Sequence, residues 1–146
     1  ARLISGAHAS FKVVTIRGTL ALIPIGFAMW LVHMLFHFFT SWATAWPASQ
    51  RMLQDLGSQL LGEPAWAMSC CGPTPLWLIP LEIVLLDLGL LLSLYALYRL
   101  ARTCTVGVWS ELRFLAPWAL LTFGLYLAGV WIILQPMQMR GTLLPG

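Results

Sequence analysis

Three long apolar runs, Gly18 to Trp42, Leu76 to Tyr98 and Phe114 to Leu134, constrain this chain more than any other feature. As a helix rising about 1.5 Å per residue, each is long enough to cross a hydrocarbon layer of about 30 Å. The predicted fold is an all-α integral membrane protein with three transmembrane helices and a short outer amphipathic helix. Composition agrees: 60% of the residues are hydrophobic and 9% charged, and a soluble domain of 146 residues could not hide so much apolar surface. The whole chain reads as a single helical membrane domain and, since it begins with Ala rather than Met, is expected to be the C-terminal part of a longer protein; its first run is too long, and too poorly followed by a small-residue cleavage site, to be a signal peptide.

The basic residues indicate a topology. Arg2, Lys12 and Arg17 precede the first run and Arg99, Arg102 and Arg113 separate the second from the third, whereas only Arg51 and Arg140 fall on the opposite side. This asymmetry places the N-terminus and the 99–113 loop inside, with residues 43–75 and the C-terminus outside. A bacterial inner membrane is the expected location. The cations form no stripe interleaved with aromatics, which argues against a nucleic-acid partner.

Local signals fill in the elements. Residues 1–17 carry Phe11, Val13, Val14 and Ile16 among basic side chains, a surface-lying lead-in to the first span. Pro24 and Gly26 allow that span to kink, and Trp30, Phe36, Phe38, Phe39 and Trp42 gather toward its outer end as an aromatic belt. Met52, Leu53, Leu56, Leu60 and Leu61 recur at helical spacing and predict the outer helix, ending by Gly62 and Pro64. Pro117 is expected near the start of the third span, where its missing amide costs little. Gly124 and Ala128 give that span a small-residue face on which another helix can pack.

The candidate chemistry lies inside the spans. Glu82 and Asp87 occupy the second run, and an ionisable group near the bilayer centre costs at least ~2.5 kcal/mol unless it is paired or neutralised. On the antiparallel first span, His37 lies at a depth of roughly 8 Å from the outer end and Glu82 on the second at roughly 9 Å. His33 and Asp87 lie deeper. The four residues are expected to form a polar seam, serving either as buried hydrogen bonds that fix register or as a proton path or quinone-pocket edge, with carboxylates of raised pKa.

His33 and His37 share one helix face and so cannot take opposite sides of one haem, although one of them could ligate a haem shared with a partner chain. Met68, Cys70 and Cys71 before the second span, with Met137 and Met139 after the third, are weak candidates for a Cu(I) site, since thioethers and thiolates are soft ligands. Most such methionines are packing residues. Cys104 is expected to be a free thiol, and three cysteines cannot hold a four-cysteine iron–sulfur cluster.

The segments 135–142 (QPMQMRGT) and 93–102 (SLYALYRLAR), together with His33-x-x-x-His37, resemble the C-terminal membrane part of integral-membrane 4Fe-4S proteins of the polyferredoxin type. The resemblance implies an electron-transport role in a respiratory complex. The family's cysteine runs are absent, so any cluster would be held by a partner or by an upstream region, and no cluster ligand is assigned here. The chain is therefore expected to be a membrane-anchoring subunit of an electron-transfer complex, neighbouring a quinone, haem or proton site, with other membrane subunits as partners. The alternatives are a purely structural or assembly subunit and, less favoured, a copper-handling protein. No nucleophile has a base beside it and no phosphate-cradling loop is visible, so catalysis by this chain alone is not expected.

Overall fold

The computed structural model describes residues 10–66 and 75–135, and all of its regular elements are helical. α1 covers Phe11–Leu20 and α2 Ile23–Ser41; a 3-10 turn at Trp42–Thr44 leads into α3, Ala45–Asp55. α4, Leu78–Cys104, and α5, Val108–Ile133, complete the chain. Three segments are long and apolar enough to span a membrane: the Lys12–Asp55 stretch, α4 and α5. α4 is the central element, packed along both α2 and α5, which touch each other less.

Each helix end has a local cause. Ser10 caps α1 by accepting a hydrogen bond from the Val13 amide at 3.3 Å. The chain breaks helical continuity at Ala21 and Leu22 because Pro24 cannot donate to the preceding turn. The next amide, that of Ile25, donates instead to Ser93 Oγ on α4 at 3.0 Å. One buried hydroxyl thus satisfies the backbone at the break and joins two spans.

The second and third spans extend beyond their apolar runs. α4 continues to Cys104 and α5 begins at Val108, so the expected 99–113 loop contracts to Thr105–Gly107. An apolar run measures the hydrocarbon it crosses rather than the helix, and long cationic side chains let a helix proceed into the interface. Arg99 donates to the Tyr95 hydroxyl at 3.0 Å and Arg102 to the Tyr98 hydroxyl at 3.5 Å, one turn back along the same helix. Pro117 consequently lies well inside α5 rather than near its start.

The short amphipathic helix α3 also differs from expectation. It ends at Asp55, and Leu56, Leu60 and Leu61 lie beyond it. Gly57, at φ 80°, closes it, with the amides of Gly57 and Ser58 donating to Gln54 and Leu53 carbonyls, both at 2.8 Å. Buried Gln50 then holds the following loop, donating to the Leu61 carbonyl at 2.6 Å and accepting from the Ala65 amide at 3.4 Å.

Two apolar clusters hold the bundle together. Val14, Leu100, Ala101, Cys104 and Phe114 join α1 to the α4–α5 turn, and Cys104 is a buried free thiol. Ile25, Ala28, Val32, Leu86 and Ile133 join the three spans farther along. Gly89 permits a close approach of α2 and α4: a Cβ there would lie 2.5 Å from the Ala28 Cβ and 3.1 Å from the Pro24 carbonyl oxygen. Burial remains thin, covering 28%, 28% and 17% of the most apolar windows of the three spans. Phe27, Trp30, Leu91, Leu120 and Trp131 point outward, as in a bundle surrounded by lipid or other helices.

Candidate functional site

α4 presents its buried face as a stripe at helical spacing: Glu82, Leu86, Gly89, Ser93 and Leu97. Glu82 lies on this stripe and is fully buried, with 0% of its surface exposed. A carboxyl group so enclosed, within a span, is the most costly polar group to bury in the structure.

Beside the stripe runs a groove of about 520 Å³, open to one side of the bundle. α2 contributes Met29, Trp30, Val32, His33 and Phe36; Leu86 forms the floor, and Gly129, Ile132 and Ile133 of α5 form the far wall. Gly129 keeps that wall low, since a Cβ there would approach Leu86 Cδ1 to 3.2 Å. His33 is the one ionisable side chain among the lining residues. Its ring meets that of His37 edge to face, with centroids 4.5 Å apart and planes at 79°, and His37 in turn touches Phe36 at 5.5 Å. His33 is exposed at the groove, while His37 is half-buried one turn farther toward the α3 end.

Asp87 has a different neighbour from the one expected. Its Oδ1 accepts a hydrogen bond from the Tyr126 hydroxyl at 2.8 Å, linking α4 to α5 rather than to His33 on α2. The structure therefore brings His33 and His37 together, buries Glu82 on the face that packs against the neighbouring helices, and assigns Asp87 to the third span. Tyr126 and Ser93 were missed by sequence reasoning. Both carried a readable signal, a hydroxyl inside an apolar run that has to find a partner.

The ring contact between His33 and His37 leaves no room for a haem plane between them, and their shared helix prevents them from ligating opposite sides of one. Among the described residues no group of three or more His, Cys, Asp or Glu side chains could hold a metal ion. The soft-ligand candidates Met68, Cys70, Cys71, Met137 and Met139 lie outside the described residues. The groove instead suits a flat, mostly apolar molecule with a hydrogen-bonding edge: its volume falls in the range of small-molecule sites, about 300–1,000 Å³, and its lining is apolar apart from His33 and the Trp30 indole.

No known family model, curated protein or solved structure matches this chain.

Proposed function

We propose that this chain is a membrane-anchoring subunit of an electron-transfer complex and that the groove beside His33 receives the ring of a membrane quinone. The observation that carries this reading is the groove itself, an apolar slot at membrane depth whose one ionisable lining residue is a histidine. A quinone supplies a carrier of two electrons and two protons that is soluble in the bilayer. His33 would donate to or accept from a ring oxygen at the groove, Gly129 and Leu86 would admit the ring's flat face, and His37 would pass protons between His33 and the interface. The resemblance to polyferredoxin-type membrane proteins points the same way but lends no residue.

The test is quinone binding to the full chain in lipid nanodiscs, followed by quenching of intrinsic tryptophan fluorescence, since Trp30 lines the groove. His33→Leu is expected to weaken binding by about tenfold, the loss of one hydrogen bond from a desolvated site, ~1.4 kcal/mol. Gly129→Leu, which fills the slot, is expected to abolish it. Unchanged binding in both variants would overturn the reading. In the native complex, Glu82→Gln is expected to lower proton-coupled turnover while assembly stays normal.

A structural or assembly role is favoured by a separate observation. The Gly124 and Ala128 face is exposed, and a Cβ at Gly124 would meet nothing within 4 Å. That surface suits a helix of another subunit. Gly124→Leu would then release the neighbouring subunits while leaving this chain folded and its quinone affinity intact.

A further inference from the structure

A second groove lies on the opposite side of α4's central stripe, between α2 and α4, and has a volume of about 280 Å³. Its walls are apolar: Ile23, Phe27 and Leu31 on α2 and Leu85, Leu88 and Leu92 on α4. Its floor includes Gly89, where a Cβ would crowd Ala28 of α2. We propose that this groove, with Arg99 above it, is a binding site for one anionic phospholipid in the leaflet at the C-terminal end of α4.

Helical geometry supports this. At about 100° per residue, Leu85, Leu88, Leu92 and Arg99 fall within a sector of roughly 60° on one face of α4. Arg99 thus sits on the same face of α4 as the leucines of the slot. From Leu85 to Arg99 the rise is about 21 Å at ~1.5 Å per residue, which matches half of a ~30 Å hydrocarbon layer plus a headgroup. An acyl chain in the slot would thus place its phosphate at Arg99.

Arg99 is also held in place for that contact. Its Nη1 donates to the Tyr95 hydroxyl at 3.0 Å, and its guanidinium carbon lies 5.9 Å from the Tyr95 ring centroid. Arg99 is exposed, and its remaining guanidinium donors suit a phosphate. Arg102 repeats the arrangement on Tyr98, at 3.5 Å and 5.8 Å.

Charge across the molecule favours the same occupant. Among the described residues, Lys12, Arg17, Arg99, Arg102 and Arg113 gather at this end against Glu111 alone. The other end carries Arg51, paired with Asp55 at 3.2 Å, and Glu63. An anionic headgroup gains roughly 1 kcal/mol per nearby cation, so the basic end attracts it and the opposite end does not. A zwitterionic lipid would fill the slot equally well but gain less from the charges.

The experiment is native mass spectrometry of the full chain released from phosphatidylcholine vesicles with and without about one quarter phosphatidylglycerol, enough to give the surface a negative potential. One retained phosphatidylglycerol is expected, preferred over phosphatidylcholine by about fivefold or more, on the scale of a single cation contact. Arg99→Gln should remove the preference, Leu88→Trp should remove retention of either lipid, and Arg51→Gln at the far end should change neither. Circular dichroism checks that each variant remains helical. Equal retention of the two lipids by the unaltered chain, or a preference that survives Arg99→Gln, would overturn the proposal.

Discussion

The Tyr126 hydroxyl donates to Asp87 across the α4–α5 interface at 2.8 Å, so the aspartate of the second span is served by the third. Interhelical hydrogen bonds inside membranes average about 0.6 kcal/mol and reach about 1.7. A double-mutant cycle of Tyr126→Phe and Asp87→Asn, measured by unfolding in mixed micelles, should return a coupling within that range. A coupling near zero would show that the contact does not contribute to stability.

Gly89 and Gly124 should respond in opposite ways to the same change. A methyl group at Gly89 would meet Ala28 and the backbone at Pro24, whereas one at Gly124 meets no atom of the chain. Gly89→Ala is therefore expected to destabilise the bundle by about 1–3 kcal/mol through overpacking. Gly124→Ala should be neutral or stabilising by up to about 1 kcal/mol, the gain in helix propensity. Thermal unfolding of the two variants in the same detergent makes the comparison.

Ser93→Ala removes the acceptor for the Ile25 amide at the α1–α2 break. The amide is buried and has no alternative partner in its own helix, so a loss of about 1–2 kcal/mol is expected. Hydrogen exchange provides a local readout: amides around Ile25 should lose protection before those in the middle of α5.

Much of this architecture was legible in the sequence. The three spans follow from the length of their apolar runs, and the kink at Pro24 from a missing amide. Helix ends were less legible, because Arg99 and Arg102 lean on Tyr95 and Tyr98 and carry α4 past the hydrocarbon. The end of α3 depended on Gly57 reversing the chain before the leucine pattern was exhausted. Within the site, depth along antiparallel helices placed the ionisable residues at comparable levels, but depth alone does not say which neighbour a side chain faces. Asp87 had candidates on both sides, and only the rotation of α4 directs it toward Tyr126. The small-residue signal had the same ambiguity: Gly124 suggested a contact face, yet the glycines packed tightly within this chain are Gly18, Gly89 and Gly129.

Gly107 has φ 95°, a conformation that side chains with a Cβ adopt only under strain. Gly107→Ala should cost about 1–3 kcal/mol, measured by the same micelle unfolding.

The three residues Thr105–Gly107 that join α4 to α5 also bear on how the protein is made. So short a link ties the C-terminus of α4 and the N-terminus of α5 to the same face of the bilayer. The two form one hairpin, and moving positive charge from one end of the molecule to the other is expected to invert them together rather than singly.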